Sequence, residues 1–165
     1  MEVMFAPWRM KFIRNAVKKK IKGCLFCSKL KSKNDSGNLL IYRGKSAFVM
    51  LNLYPYNSGH LMVIPYAHAS LPADLDIEVQ IEMLVLLNKC IEVLQRALKP
   101  EGFNIGVNLG RAAGAGIDEH VHVHAVPRWN GDTNYMAILA ETRVVPEWLD
   151  DTYSKLKPIF DEVMG

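Results

Sequence analysis

Apolar positions follow a period of two in several short segments of this chain and a period near 3.6 in two longer ones. Apolar segments bounded by turn-forming residues predict five strands, at residues 39–42, 47–51, 61–64, 103–109 and 119–126. Apolar side chains at every third or fourth position of 75–98 predict an amphipathic helix that ends before Pro100. A last helix over 146–163 should begin at Pro146 and be interrupted at Pro158. Strands joined by short loops, with one long helix between two groups of strands, indicate an α+β fold with an antiparallel sheet.

The segment His120-Val-His-Val-His124 contains three of the five histidines. Alternate residues of a strand point to one face, so the three imidazoles should share a face while Val121 and Val123 point to the core. A row of imidazoles contributes little to the stability of a sheet. It suits metal ligation, nucleophilic attack and proton transfer near neutral pH, so this segment is the first candidate for a functional site.

Two features beside this segment favour a phosphate-containing ligand. The stretch 108–116 is rich in glycine, which permits tight turns and the close approach of backbone N–H groups to an anion. Pro127, Arg128 and Trp129 follow the histidines and place a fixed positive charge beside a large aromatic ring. Core packing explains Trp129 as well as stacking on a base does.

Length and composition indicate one globular domain, residues 24–165, preceded by a basic extension over residues 1–23. The net charge is +3, and the extension carries seven Lys and Arg residues against one acidic residue, so the remainder is mildly acidic. A solvated tail is the simplest interpretation; a nucleic-acid contact and an organellar presequence are the alternatives. Without a membrane-length apolar segment or an export signal, and with three cysteines, a cytoplasmic protein with reduced thiols is expected.

The motif His120-Val-His-Val-His-Ala-Val126 has the pattern His-φ-His-φ-His-φ-φ, where φ is hydrophobic. It resembles the histidine triad (HIT) family of nucleotidyl hydrolases and transferases, and the similarity covers roughly residues 24–130. Further matching residues occur in the expected order: Asn52, the segment 58–65, His68 and Asn108. The segment 8–13 and the tail after Asn134 most resemble the branch of diadenosine polyphosphate phosphorylases and hydrolases. The resemblance implies a HIT-like sheet with one long central helix, a C-terminal helix, and a homodimer.

The resemblance also implies roles for individual residues. His122 would attack the α-phosphorus of a nucleotide, and a neutral imidazole can attack phosphorus and later leave. His124 and His60 would contact phosphate oxygens, with His124 donating a proton to the leaving group. The implied substrate ligands are Asn52 for the ribose, and Asn108 with the backbone near Gly114, Ala115 and Gly116 for the phosphates. Many family members carry a glutamine or a hydroxyl residue in this loop, whereas Gly116 and Ile117 stand here, which favours backbone contacts.

Cys24-Leu-Phe-Cys27 is a Cys-x-x-Cys segment that suits a redox pair, two buried thiols or a metal site. It lies near no βαβ pattern, which weakens the redox interpretation. His68 and His120 are two further candidates for a tetrahedral Cys₂His₂ zinc site. The resemblance supports this set, because some bacterial HIT proteins bind zinc through it, and a closed site of this kind would be structural. Cys90, in the predicted helix, is expected to be a core residue.

The leading hypothesis is an enzyme that cleaves dinucleoside polyphosphates such as diadenosine tetraphosphate through His122, with phosphate or water as acceptor. Phosphoramidates and adenylylsulfate are alternative substrates for the same chemistry. A metalloenzyme that uses all three triad histidines as ligands and a nucleotide-binding regulatory module without turnover are the other classes. A nucleotide and a second copy of the chain are the expected partners, and nucleic acid and membrane are not. Zinc is the expected cofactor, and Mg²⁺ bound with the polyphosphate is a further one.

Overall fold

The structure, a computed structural model, describes residues 23–132 and 147–165. Three α-helices lie in these ranges: α1 (Leu25–Lys31), α2 (Ile77–Leu98) and α3 (Leu149–Met164). The basic extension up to residue 22 and the predicted helix start at Pro146 lie outside the described residues. None of the described helices is both long enough and apolar enough to cross a membrane.

Five strands form one sheet: β1 (Leu40–Arg43), β2 (Ala47–Leu51), β3 (Leu61–Pro65), β4 (Gly102–Val107) and β5 (Val123–Arg128). The strand order is β1-β2-β3-β5-β4, and every neighbouring pair is antiparallel. The last strand in the chain, β5, lies between β3 and β4 and is hydrogen-bonded on both sides. The predicted α+β fold with an antiparallel sheet is confirmed.

The two faces of the sheet pack against different partners. Val63 of β3 points into the larger core, together with Leu86 of α2 and Phe160 of α3. Its neighbour Met62 points to the opposite face, where a smaller cluster includes Phe26 of α1. Because successive strand residues alternate between faces, the short apolar strands supply both clusters. The long helices cover one face, and the short α1 packs on the other.

The central helix α2 agrees closely with the amphipathic pattern between residues 75 and 98. Its buried residues are Met83, Leu86, Cys90, Val93 and Leu94. The helix ends where Lys99 adopts a left-handed conformation with φ of 49°, directly before Pro100. Cys90 is fully buried, as expected, and burial raises the pKa of its thiol far above the ordinary value.

The predicted interruption of the C-terminal helix at Pro158 is wrong, because α3 continues through this residue. Proline removes the N–H that would bond to the carbonyl of Ser154 and crowds that carbonyl. Both residues are on the exposed side of the helix, so water can hydrogen-bond to the displaced carbonyl. Leu156 and Phe160, on either side of the proline, are fully buried and hold both turns against the core.

The strand predicted over residues 119–126 begins later than expected, at Val123. The ladder with β3 ends at the pair Val63 and Val123. Upstream, the backbone N–H of Val121 donates to the carbonyl of Ala69 at 2.7 Å, so this segment bonds to the loop after β3. His120 and His122 therefore precede the strand. The alternation between faces nevertheless persists, because Val121 is buried in the helix-side core.

Candidate active site and metal centre

The five histidines of the chain form two neighbouring groups of rings, one of His60, His122 and His124 and one of His68 and His120. His124 lies in β5, where it pairs with Met62 of β3 and Gly106 of β4. Ring contacts join the histidines in three pairs: His60 with His124 at 5.1 Å, His122 with His124 at 4.8 Å, and His68 with His120 at 5.2 Å between ring centres. The fold thus brings His60 and His68 against triad histidines that follow them by 64 and 52 residues.

His122 is held in one tautomer by the backbone of the preceding histidine. Its Nδ1 lies 2.9 Å from the carbonyl oxygen of His120. Because a carbonyl only accepts hydrogen bonds, the Nδ1–H of His122 is the donor, and in the neutral ring Nε2 carries the lone pair. Only 6% of His122 is exposed, and burial lowers its pKa below the ordinary imidazole value, partly offset by the bond to His120. A neutral imidazole with a free lone pair is the form that attacks phosphorus.

A chain of hydrogen bonds determines the tautomers of His60 and His124. The backbone N–H of Tyr56 donates to Nδ1 of His60 at 3.0 Å, so the proton of neutral His60 lies on Nε2. That Nε2 lies 2.9 Å from Nδ1 of His124 and donates to it. In neutral His124 the proton then lies on Nε2. In this arrangement the Nε2–H of His124 is available to donate a proton, and the fully buried His60 determines the tautomer of His124.

His120 uses its ring differently from the other two histidines of the triad. Its Nε2 lies 2.9 Å from the carbonyl oxygen of Pro65, so the Nε2–H donates and Nδ1 carries the lone pair. Nδ1 faces Cys24 Sγ at 3.3 Å, Cys27 Sγ at 3.7 Å and Nδ1 of His68 at 3.3 Å. His120 thus belongs to a second cluster of side chains beside the first.

The donor atoms of this second cluster fit a tetrahedral metal ion. Sγ of Cys24 and Cys27 and Nδ1 of His68 and His120 all lie within 4.8 Å of one another. Zinc bond lengths of about 2.3 Å to sulfur and 2.05 Å to nitrogen give tetrahedral edges of about 3.3–3.8 Å. Three Sγ–Nδ1 pairs and one Nδ1–Nδ1 pair of this cluster are 3.3–3.7 Å apart. Two thiols and two imidazoles are also a donor set that zinc prefers.

Phe26 and Tyr56 are site residues that the sequence patterns did not identify. Phe26 is buried, and its ring lies 5.4 Å from that of His120 and 5.0 Å from that of His122. Tyr56 lies 4.6 Å from the ring of His60. An apolar residue inside the Cys-x-x-Cys segment was the only available signal for Phe26, and no periodicity marked Tyr56.

The two predicted asparagine ligands lie at strand ends next to the histidines. Asn52 directly follows β2; its Oδ1 accepts the backbone N–H of Tyr54 at 3.0 Å, and its Nδ2 lies 3.4 Å from Nδ1 of His60. Asn108 follows β4, whose last residue Val107 pairs with Val123. Continuing this antiparallel register brings Asn108 beside His122. Both positions are compatible with substrate contacts, which remain predictions.

The glycine-rich loop makes a tight turn of its own. Gly114 has a φ of 86°, which suits glycine. The backbone N–H of Gly114 donates to the carbonyl of Arg111 at 2.9 Å, and that of Ala115 to the carbonyl of Gly110 at 3.2 Å. To hold a phosphate, these two N–H groups would each have to divide their hydrogen bond between the phosphate and a backbone carbonyl. Gly116, the next residue, is exposed. The phosphate-binding role of this loop stays a prediction.

Trp129 follows β5 and is partly exposed. Its backbone N–H donates to Oδ2 of Asp132 at 3.2 Å, and the same carboxylate accepts Nε of Arg128 at 2.6 Å. The guanidinium of Arg128 is therefore bonded to Asp132, in the loop after β5, and to Asn104 of β4. The partial exposure of Trp129 leaves an aromatic surface available for stacking, which also stays a prediction.

Comparison with known proteins agrees with this site. Residues 33–131 match the HIT domain family, and the chain belongs to the histidine triad (HIT) family. The AP-4-A phosphorylase of Mycobacterium tuberculosis is 38% identical over 154 residues, which cover 90% of this chain and 79% of that protein. The asymmetrical bis(5'-nucleosyl)-tetraphosphatase of Schizosaccharomyces pombe is 32% identical over 101 residues, 61% of this chain and 55% of that protein. These relatives are nucleotide-processing enzymes by name.

A solved structure shares the fold. The zinc-bound histidine triad family protein of Mycobacterium smegmatis superimposes with a TM-score of 0.69 at 24% identity, over 86% of this chain and 96% of that chain. The antiparallel sheet with its helices is thus the HIT fold.

Proposed function

We propose that this protein cleaves dinucleoside polyphosphates, such as diadenosine tetraphosphate, through a covalent nucleotidyl intermediate on His122. The observation that carries the proposal is the bond from Nδ1 of His122 to the carbonyl of His120, which leaves Nε2 as the nucleophilic atom. The burial of this ring keeps it neutral near pH 7, because charging it would cost hydration. The relative that is 38% identical is named an AP-4-A phosphorylase, and this supports the choice of substrate.

The reaction has two displacements. In the first, Nε2 of His122 forms a bond to the α-phosphorus, and the bond from that phosphorus to its bridging oxygen breaks. With diadenosine tetraphosphate, ATP leaves and AMP stays on the histidine. In the second, an oxygen of inorganic phosphate attacks the same phosphorus, the bond to His122 breaks, and ADP leaves. If water is the acceptor, AMP leaves instead.

His124 and His60 assist the departure of the leaving group. His124 receives a hydrogen bond from Nε2 of His60 on its Nδ1, so that Nε2 of His124 carries the proton to be donated. Its ring centre lies 4.8 Å from that of His122, which is close enough for both residues to contact one phosphoryl group and so supports this role. A polyphosphate leaving group is already acidic, so this proton matters most for substrates with poorer leaving groups.

Product identification with and without phosphate tests the substrate and the acceptor. Diadenosine tetraphosphate in excess phosphate should give ADP and ATP in equal amounts. AMP and ATP at high phosphate would reject phosphorolysis and assign water as acceptor, and two ADP would reject the α-phosphorus as the site of attack. Cleavage only of adenosine phosphoramidates would retain the nucleophile but change the substrate class.

A radiolabelled nucleotide trapped covalently on the protein separates this mechanism from the two other classes. A regulatory module and a metalloenzyme would both leave the protein unlabelled. The geometry also disfavours a metal site made from the whole triad. Nδ1 of His122 is bound to a carbonyl and Nδ1 of His124 to His60, while Nδ1 of His120 faces the cysteines.

We further propose that Cys24, Cys27, His68 and His120 bind one zinc ion. The support is the donor set and its spacing. A zinc ion bound there would cross-link α1, the loop after β3 and the start of the triad segment. The Mycobacterium smegmatis neighbour, described as zinc-bound, is compatible with this proposal. Mg²⁺ with the polyphosphate stays a prediction.

A homodimer of a single domain comprising residues 24–165 is the proposed assembly. In the described part of the chain, β4 is an edge strand that pairs only with β5, and Ile105 and Val107 on it are 43% and 37% exposed. Helix α2 also presents Ile77, Ile81 and Leu84 at 56–60% exposure. Exposed apolar residues beside an unpaired strand edge suit a second copy of the same surface. Light scattering should give twice the chain mass, and Ile81→Glu should give the monomer.

A further inference from the structure

Phe26 lies between the two metal-ligating cysteines in the chain and contacts the proposed nucleophile. It is the only buried residue of α1, with 2% of its surface exposed. Its ring centre lies 5.0 Å from that of His122, with 62° between the planes, and 5.4 Å from that of His120, at 80°. These are edge-to-face contacts at the distances that aromatic pairs favour.

The ring of His122 is restrained from three directions. The carbonyl of His120 holds Nδ1, the ring of His124 lies 4.8 Å away at 72°, and the ring of Phe26 lies 5.0 Å away. A single hydrogen bond fixes one ring atom but still allows the imidazole to tilt. The two flanking rings limit this tilt. The tilt sets the direction of the Nε2 lone pair, and attack on phosphorus requires that lone pair to be aligned with the phosphorus.

Helix α1 is attached to the body of the protein differently at its two ends. At its C-terminal end, Arg43 donates from Nη1 to the carbonyl of Leu30 at 3.1 Å and from Nη2 to that of Ser32 at 2.9 Å. At its N-terminal end, Cys24 and Cys27 face His68 and His120. Arg43 thus holds one end of α1 without a metal. The end that carries Phe26 is held by the apolar cluster around this residue and by the cysteine and histidine cluster.

We propose that Phe26 is a positioning residue for His122 and couples the Cys24–Cys27 metal-binding segment to the nucleophile. This inference rests on the proposed function of His122. It predicts that metal loading affects the rate of phosphorus attack through Phe26. Without the metal, Phe26 is held by its apolar cluster alone, and we expect the imidazole of His122 to sample more orientations that do not lead to attack.

The test compares Phe26→Leu with the matched control Phe48→Leu. Both phenylalanines belong to the same buried cluster, and the ring of Phe48 stacks on Tyr66 at 5.9 Å. Both changes remove a ring from this cluster, but only Phe26 has a ring contact with His122. Phe26→Leu should lower kcat by about 10–100-fold with a nearly unchanged KM, because a misplacement of about 1 Å costs roughly this much. Phe48→Leu should keep kcat per folded molecule.

A second readout does not depend on activity. The Nδ1–H of His122, held by a carbonyl, should give a slowly exchanging signal in a spectrum of protein with ¹⁵N-labelled histidine, assigned by its loss in His122→Ala. In Phe26→Leu this signal should broaden or exchange faster, and in Phe48→Leu it should persist. Removal of metal with a chelator should broaden this signal more in the wild-type protein than in Phe26→Leu, because any effect transmitted by His120, whose carbonyl also holds His122, is common to both. Phe26→Met, which nearly keeps the side-chain volume, serves as the second variant if Phe26→Leu folds poorly.

The outcomes separate the two proposals. An unchanged kcat and an unchanged His122 signal in Phe26→Leu would overturn the positioning role, as would equal losses in the two leucine variants. If the His122 signal responds only to Phe26→Leu and to chelation, but the wild-type protein cleaves no dinucleotide, the positioning role stands and the proposed function fails.

Discussion

Nδ1 of His122 lies 2.9 Å from the carbonyl oxygen of His120, whose own Nδ1 faces the sulfur atoms of Cys24 and Cys27. One residue therefore belongs to both clusters of the site. Its side chain joins the proposed metal centre, and its backbone orients the proposed nucleophile. The contacts thus support the proposed division of the triad, in which His120 ligates the metal while His122 and His124 carry out the chemistry.

Replacement of His122 with alanine should abolish turnover of diadenosine tetraphosphate and of an activated substrate, the p-nitrophenyl ester of AMP. No neighbouring group can replace the covalent step, so the loss should be nearly total for both. Steady-state rates and trapping of radiolabelled protein measure this. Normal turnover of either substrate by His122→Ala would reject the nucleophile and the mechanism that depends on it.

Replacement of His124 with alanine should have an effect that depends on the leaving group. Loss of a general acid typically costs about 10²–10⁴ in rate where the leaving group needs a proton. An alkyl ester of AMP should therefore be cleaved far more slowly, whereas the p-nitrophenyl ester should recover most of its rate. Equal losses with both esters would show that His124 serves in binding or structure instead.

His60→Ala should reproduce the pattern of His124→Ala, because His60 acts through the proton that it donates to Nδ1 of His124. Its loss leaves both tautomers of His124 accessible and reduces the fraction that carries the proton on Nε2. The double variant should be little worse than either single variant, since residues in one network are not additive. The rates of the two single variants and of the double variant with the alkyl ester measure the coupling between His60 and His124. Fully additive losses of rate would contradict this coupling.

Elemental analysis of protein purified without added metal should show about one zinc per chain. Cys27→Ser should lose the metal, while Cys90→Ala should retain it because Cys90 lies in the core, away from the cluster. The loss should also lower Tm, by about 2–4 °C for each kcal/mol in a domain of this size. Metal-free wild-type protein with ordinary stability would contradict a structural zinc.

Thiol titration gives an independent check on the same residues. After chelation, two thiols should react under native conditions, since Cys24 and Cys27 are only partly buried. Burial raises the pKa of Cys90, so the third thiol should react only on unfolding. Three fast thiols in the folded protein would disagree with the position of Cys90.

Pro158→Ala should stabilise the protein. A proline inside a helix lowers the free energy of unfolding by about 3 kcal/mol relative to alanine. Its restriction of the unfolded chain offsets about 0.4–1 kcal/mol of this loss. A gain of about 1–3 kcal/mol in the free energy of unfolding is expected from denaturant titration. Pro72 is the matched control, since it lies at the start of a 3₁₀ turn, where proline fits, and Pro72→Ala should give no gain.

Periodicity and composition alone predicted the antiparallel sheet, the central helix and most strand positions. This succeeded because apolar spacing reflects the faces that must be buried, as with Met83, Leu86 and Cys90 on α2. The interruption at Pro158 was predicted from local geometry alone, and the packing of Leu156 and Phe160 overrides it. The start of the last strand was also misplaced, because the ladder with β3 ends at Val123.

By itself, the sequence determined the chemistry available to this protein: five histidines, two cysteines in a Cys-x-x-Cys segment and a strand-like triad. Only the tertiary structure assigned an atom to each role. Pro65, Ala69 and Tyr56 supply the backbone groups that orient His120, Val121 and His60, and Phe26 reaches His122 from α1. Most of these contacts join residues that are distant in the chain, and the first three use a backbone carbonyl or N–H group. Nearly every residue carries these backbone groups, so no residue pattern could have revealed which of them orient the site.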